Sequence, residues 1–285
     1  MENFRDEVAK RMPGGKLETE GTDLVDSTHK RRDYHGVHKQ KQEGLNYVGI
    51  NVPAGRIQAK DMFEMATLAD AYGTGEVRLT VEQNYIIPNV PDDKVEALLQ
   101  EPLLTTGEGF ASAFKPNPGR LVKDLVSCTG NQFCGLALIE TKATGKALAE
   151  ALEATMDLTR DVRMHWTGCP NTCGQVQVAD IGFLGCQVKN PETGKGNVDG
   201  VKIFLGGNIG HEAELGTEVD KVACMSLLPY TQDLLIKKFG AKKKRTALMT
   251  DEDRAAVSRW ENFPFNSGGG LEVFPAGENG KYVVK

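Results

Sequence analysis

Four of the six cysteines lie in two close pairs, and their thiolates are the groups in this chain best suited to hold a metal centre. Five residues separate Cys128 from Cys134 in SCTGNQFCG, and three residues separate Cys169 from Cys173 in TGCPNTCG. Four thiolates on glycine-containing loops are typical of an iron–sulfur cluster. A structural zinc ion is the alternative, but zinc-binding cysteines are usually two to four residues apart, often with histidine. The longer first gap therefore favours the cluster.

The other two cysteines have apolar neighbours. Cys186 lies in FLGCQV and Cys224 in VACMSLL, so both are interpreted as small buried hydrophobic residues rather than ligands. Two tight pairs in a chain of this length do not resemble a secreted disulfide framework. We therefore expect a reducing compartment.

Strands and helices must deliver the two cysteine loops. The segment LVKDLVSC predicts a strand that ends at Cys128, and VRMHW predicts another that ends at the second loop. Between them, residues 134–156 are rich in Ala, Leu and Glu and predict a helix. Residues 180–185 predict a buried strand, and the following residues up to 207 a hairpin. Further helices are predicted over 227–239 and 250–263.

The first half of the chain predicts a second unit. Residues 46–106 read as β-α-β-β-α, which suggests a ferredoxin-like half-domain. Its first helix has apolar side chains at helical spacing, namely Met62, Met65, Ala66, Ala69 and Tyr72. A loop rich in Gly, Pro and Asn between 107 and 119 marks the boundary to the cysteine-containing unit.

Composition excludes several functional classes. The chain has 285 residues and a net charge of −5, which argues against nucleic acid as the main partner. No apolar run approaches the roughly 20 residues of a membrane span. Residues 1–12 resemble neither a secretory signal nor a transit peptide, so we expect no targeting segment in this chain.

The second cysteine loop carries a family resemblance. The pattern formed by Thr167, Gly168, Cys169, Cys173 and the run Asp180–Phe183 is similar to the signature of the siroheme-dependent nitrite and sulfite reductases. The segments CTGNQFCG, ETKA and VRMHWTGCPN resemble the ferredoxin-dependent nitrite reductases of plants, algae and cyanobacteria. The resemblance extends over residues 33–240 and corresponds to the C-terminal half of that family's polypeptide.

The sequence pattern and the resemblance together predict an α+β fold of four parts. These are a polar arm (1–45), a ferredoxin-like half-domain (46–106), a siroheme- and [4Fe–4S]-binding domain (115–263) and a flexible tail (264–285). It implies that Cys128, Cys134, Cys169 and Cys173 bind a [4Fe–4S] cluster, and that Cys173 also ligates siroheme as the axial bridge. Cofactor contacts from Asn171, Thr129, Asn131, Gln132 and Arg78 are hypotheses beside simpler interpretations. For Arg78 the simpler interpretation is a surface ion pair, for the others turn residues. His165 and Trp166 are expected in the core, and no catalytic residue is identified.

The resemblance also implies an activity. The expected reaction is the six-electron reduction of nitrite to ammonium with electrons from reduced ferredoxin, in a plastid stroma or the cytoplasm. Siroheme carries eight carboxylates, and the cations that bind them and nitrite are expected in a missing N-terminal half. The basic runs 29–32 and 237–245 are candidates for docking ferredoxin, or are simply solvated. Sulfite reduction and a non-enzymatic iron–sulfur or siroheme module remain alternatives.

Overall fold

Two β-sheets, each covered by helices, organise the chain. The computed structural model describes residues 2–15, 33–106, 114–210 and 213–265. The helices are α1 (Glu2–Arg11), α2 (Ala59–Tyr72), α3 (Val95–Leu99), α4 (Pro102–Thr105), α5 (Lys142–Thr155), α6 (Leu227–Phe239) and α7 (Asp251–Glu261). The strands are β1 (Gly36–Lys39), β2 (Leu45–Ile50), β3 (Arg78–Leu79), β4 (Tyr85–Pro91), β5 (Leu125–Ser127), β6 (Met156–Asp157), β7 (Met164–Thr167), β8 (Ile181–Lys189), β9 (Asn197–Leu205), β10 (Thr217–Ala223) and β11 (Lys242–Lys243).

The first sheet is antiparallel, with the order β1-β2-β4-β3. Helix α2 covers one face and buries Met65, Leu68 and Ala69 against the sheet. The sheet contributes Val48, Ile50 and Ile87 to the same core, and all three are fully buried. The strand–helix alternation of this unit agrees with the predicted half-domain.

Two features of this unit differ from the prediction. Strand β1 pairs with β2, so residues 36–45 belong to the sheet rather than to an arm. The buried face of α2 keeps Met65 and Ala69 from the predicted set but gains Leu68, whereas Met62 is 58% exposed. Met65, Leu68 and Ala69 have the i, i+3, i+4 spacing of one helix face, and Met62 lies at the edge of that face. The arm also contains helix α1, and its residues 16–32 lie outside the described part.

The second sheet is mixed, with the order β10-β9-β8-β7-β5. Strands β5, β7 and β8 are parallel, and β8, β9 and β10 are antiparallel. Helices α5 and α7 pack together against this unit, and the aromatic pair Trp166 and Phe183 fills the core with ring centroids 4.4 Å apart. The short strands β6 and β11 form a separate ladder.

Helix α5 begins at Lys142, eight residues later than the sequence predicts. The Glu140 carboxylate fixes this start because it accepts hydrogen bonds from the backbone N–H groups of Lys142, Ala143 and Thr144 at 2.8–3.0 Å. A carboxylate at the positive end of a helix stabilises its first turn. Residues 134–141 are therefore left in the first cysteine loop.

The C-terminal part also extends the core slightly. Phe265 lies in the region predicted to be a flexible tail, yet its ring packs edge-on against Trp260 with centroids 5.0 Å apart. The rest of that predicted tail, 266–285, is outside the described residues. None of the helices in the described ranges is both long and apolar enough to span a bilayer.

Candidate metal centre

The two cysteine loops begin at the carboxyl ends of neighbouring parallel strands. Cys128 directly follows β5, and Cys169 lies two residues beyond the end of β7. Ser127 is the register partner of Trp166, and the Cys128 backbone N–H donates to the Trp166 carbonyl oxygen at 3.0 Å. Loops at the carboxyl ends of adjacent parallel strands meet at one edge of the sheet, the usual place for a ligand site in such folds. The apolar runs predicted as strands thus bring both pairs to the same edge.

Hydrogen bonds tie the two loops to each other. The Leu138 N–H donates to the Gly168 carbonyl oxygen at 2.8 Å, and the Gly168 N–H donates to Cys128 Sγ at 3.2 Å. Thr141 supports the same cysteine because its hydroxyl donates to the Cys128 carbonyl oxygen at 2.8 Å. Backbone N–H donors to cysteine sulfur tune iron–sulfur clusters. Cys128 therefore already has one interaction that a cluster ligand requires.

The second loop is held in an uncommon backbone conformation. Thr172 has φ 50° and Gln175 has φ 54°, and a β-branched residue rarely occupies that region. Buried His165 holds this turn, since its Nδ1 donates to the carbonyl oxygens of Gly174 and Gln175 at 2.8 and 3.1 Å. Strained backbone of this kind is concentrated at functional sites. His165 and Trp166 have the packing roles expected for them.

The four thiols differ in exposure. Cys169 is buried, Cys128 and Cys134 are half-buried, and Cys173 is exposed. No three Cys, His, Asp or Glu side chains in the described parts of the chain converge where one metal ion could bind. A zinc ion would need its sulfurs about 3.8 Å apart, given Zn–S bonds of about 2.3 Å. A cubane instead takes each thiolate at a separate corner of the cluster.

The remaining predicted residues are placed as follows. Thr129 and Asn171 are exposed on the two loops, and Asn131 and Gln132 are half-buried on the first. Arg78 lies on the edge strand of the other sheet, where its Nε donates to Glu76 at 2.6 Å. That geometry matches the surface ion pair. Cofactor contacts from these five residues stay predictions.

Sequence analysis missed two side chains directly behind the first loop. Gln83 reaches across from the first unit, accepting from the Ser127 N–H at 3.1 Å and donating to its carbonyl oxygen at 2.8 Å. Lys142 Nζ donates to the carbonyl oxygens of Ser127 and Ala54 at 3.0 and 2.6 Å. Burial lowers the pKa of Lys142 to about 8, although Cys128 and Glu140 oppose the shift.

The chemistry available here is that of a four-thiolate centre beside an apolar surface. The first loop exposes three large side chains, Phe133 (72%), Leu136 (66%) and Leu138 (46%). Neither residues 128–141 nor residues 167–174 include a lysine or arginine, and Glu140 is the only carboxylate in these two segments. The loops therefore offer sulfur ligands and an apolar face, but no cation of their own for an anionic cofactor.

Comparison with known families agrees with both units. Residues 38–104 match the model of the nitrite/sulfite reductase ferredoxin-like half domain. Residues 119–235 match the nitrite and sulphite reductase 4Fe-4S domain, which includes all four paired cysteines. The chain belongs to the nitrite and sulfite reductase family and contains its 4Fe-4S domain.

Within this family, the chain is similar to curated ferredoxin–nitrite reductases. The chain is 55% identical over 246 residues to a chloroplastic ferredoxin–nitrite reductase of Oryza sativa subsp. japonica, covering 86% of this chain and 40% of the relative. It is 49% identical over 245 residues to a ferredoxin–nitrite reductase of Synechococcus elongatus, covering 86% and 45%. The chain thus spans less than half the length of these relatives.

A solved structure shows the same fold. The NirA protein of Mycobacterium tuberculosis superposes with a TM-score of 0.65 at 26% identity, covering 80% of this chain and 41% of that one. The α+β architecture predicted from the sequence is confirmed by this likeness together with the half-domain match.

Proposed function

We propose that this chain is the metal-centre portion of a ferredoxin-dependent nitrite reductase. The observation that carries the proposal is the placement of the two hydrogen-bonded cysteine loops at the carboxyl ends of β5 and β7, inside the region that matches the 4Fe-4S domain. In this proposal Cys128, Cys134, Cys169 and Cys173 bind the [4Fe–4S] cluster. The Gly168 N–H donates to the Cys128 sulfur and stabilises its thiolate.

Siroheme is the second proposed cofactor, and its proposed place is beside Cys173. Of the four thiols, Cys173 is the exposed one, so its sulfur is the most accessible to a further group. The apolar side chains Phe133, Leu136 and Leu138 offer a surface for a macrocycle close to Cys134. When bound, siroheme would supply an iron that holds nitrite while electrons arrive through the cluster. This chain's part is to fix the shared thiolate and exclude water from the apolar side.

The cations for eight siroheme carboxylates are proposed to come from outside the cysteine loops. Residues 128–141 and 167–174 contain no Lys or Arg, so neither loop supplies a charged partner for a siroheme carboxylate. A charge-assisted hydrogen bond contributes about 1.5–3 kcal/mol, and several would be missing at once. We propose that a segment corresponding to the rest of the relatives' polypeptide supplies these cations and the nitrite site.

Reduced ferredoxin is the proposed electron donor, in a plastid stroma or the cytoplasm. The relatives' names state ferredoxin dependence, and the basic run 237–245 offers a cationic surface. Lys237 pairs with Asp233, whereas Lys242 and Lys243 are exposed on β11. Opposite charge accelerates the encounter with an acidic partner. If the run docks ferredoxin, K242E/K243E weakens turnover with ferredoxin but not with methyl viologen.

The deciding experiment reconstitutes the chain with iron and sulfide and measures nitrite and sulfite reduction with reduced methyl viologen. We expect weak siroheme binding and negligible turnover by the chain alone, and restored ammonium formation when the remaining segment of a relative is added in trans. Sulfite reduction exceeding nitrite reduction in the restored complex would instead favour the sulfite alternative. A chain that binds the cluster but never supports turnover in any combination would favour a non-enzymatic module.

The bridge has a separate test. Cys173→Ser is expected to uncouple siroheme from the cluster in the restored complex, seen as loss of the coupled EPR signals. Unchanged coupling in Cys173→Ser would show that another cysteine is the bridge.

A further inference from the structure

Lys142 occupies a position that is unfavourable for a cation unless a negative group lies nearby. It is the first residue of α5, where the helix dipole is positive, and its ammonium is largely removed from water. Both features disfavour a positive charge. The ammonium nevertheless donates to two carbonyl oxygens, those of Ala54 and Ser127.

The surrounding side chains only partly compensate this charge. Glu140 is 4% exposed, and its two oxygens are engaged by the backbone of the first turn of α5 and by the Thr144 hydroxyl. Arg56 lies near enough to oppose the Lys142 charge. The Ser127 carbonyl that Lys142 binds precedes Cys128 in the chain. The arrangement therefore favours a further negative charge on the Cys128 side.

We propose that Lys142 is a positioning residue that holds a fixed positive charge behind Cys128 and makes the cluster easier to reduce. The inference rests on the proposed function, since it requires the cluster at the four cysteines. Reduction adds one electron, supplied in the test by dithionite, and makes the cluster more negative by one charge. A half-buried cation close to a cluster ligand stabilises that added charge and raises the reduction potential.

Gln83 separates the effect of charge from the effect of geometry. Its amide binds the N–H and the carbonyl oxygen of the same residue, Ser127, but carries no charge. Loss of Gln83 loosens the strand end that positions Cys128 and leaves the cation in place. Loss of the Lys142 charge removes the electrostatic contribution, while K142R retains it.

The experiment compares the unaltered chain with K142M, K142Q, K142R and Q83M after reconstitution with iron and sulfide. Iron and labile sulfide are assayed first, and the cluster is then titrated at pH 7 and followed by EPR. We expect K142M and K142Q to shift the potential negative by at least the equivalent of a tenfold change in the reduction equilibrium, about 59 mV for one electron. The reduction potentials of K142R and Q83M are expected to differ from that of the unaltered chain by only a fraction of that shift.

The possible outcomes separate the two claims. Normal cluster content with equal potentials in all five proteins overturns the role of Lys142 but leaves the cluster assignment intact. A shift in Q83M as large as that in K142M also overturns it, because geometry would then explain the effect. Should K142M fail to fold, K142Q decides, since its amide still donates a hydrogen bond. An unaltered chain that takes up no iron and sulfide overturns the proposed function and this inference with it.

Discussion

Gly174 directly follows Cys173, and the lack of a side chain there is required by close packing. A Cβ added at Gly174 would lie 1.9 Å from the Trp166 carbonyl oxygen and 2.8 Å from its carbon. Trp166 is fully buried and stacks on Phe183, so its backbone has little room to move. The substitution Gly174→Ala must therefore displace the loop that carries Cys173.

The expected cost follows from this geometry. Ordinary contact needs about 3.5 Å, so the loop must shift by roughly 1.5 Å. Overpacking of this kind costs about 1–3 kcal/mol, and weakening the bond from His165 to the Gly174 carbonyl oxygen adds about 1 kcal/mol. A total of about 2–4 kcal/mol corresponds to a Tm decrease of roughly 3–7 °C for a protein of this size, because the unfolding entropy is about 2.1 cal/mol/K per residue. Because Cys173 moves as well, bound iron and labile sulfide are expected to fall.

Gly135 is the matched control, because it follows Cys134 in the same way but has no atom within 4 Å of an added Cβ. Gly135→Ala should change stability by less than about 0.5 kcal/mol and leave cluster content intact. Thermal unfolding by circular dichroism and an iron–sulfide assay test both variants. Equal Tm and equal cluster content in Gly174→Ala and Gly135→Ala would refute the packing argument.

Two further predictions concern buried titratable groups. Burial raises the pKa of Glu153, so its charged form destabilises the folded state as pH rises through that pKa. Glu153→Gln should therefore increase the free energy of unfolding by about 1 kcal/mol at pH 8, and this increase should shrink towards pH 4. A difference in Tm that does not depend on pH would contradict this prediction. Burial also raises the pKa of the Cys224 thiol, and since the thiolate is the nucleophile, Cys224 should react with iodoacetamide at least tenfold more slowly than exposed Cys173 in the metal-free chain. Peptide mass spectrometry measures both rates, and similar rates would show that Cys224 is not shielded.

Local patterns in the sequence were enough to predict the elements that carry the cysteines. The apolar runs before Cys128 and Cys169 predict β5 and β7, and the structure has strands there. Helix α6 has the predicted bounds, Leu227–Phe239, because its apolar period is regular and Gly240 ends it in the left-handed conformation. These features depend on contacts within a few residues.

The parts that sequence reasoning missed depend on distant contacts. Gln83 and Ser127 are 44 residues apart, and Lys142 and Ala54 are 88 apart, so no local spacing indicates either hydrogen bond. The late start of α5 has the same origin. Leu138 has good helix propensity, but its N–H bonds to Gly168 in the other cysteine loop. Tertiary hydrogen bonding thus overrides the intrinsic preference of residues 134–141.

The ligand assignment is tested most directly by cysteine substitution in the reconstituted chain. Each of Cys128→Ser, Cys134→Ser, Cys169→Ser and Cys173→Ser is expected to lower bound iron and acid-labile sulfide. Cys186→Ser and Cys224→Ser serve as controls and are expected to leave both unchanged, since Cys224 is buried and Cys186 belongs to strand β8 rather than to either cysteine loop. A chain that holds about one zinc ion and no labile sulfide, or that loses iron equally in the control variants, would contradict the account.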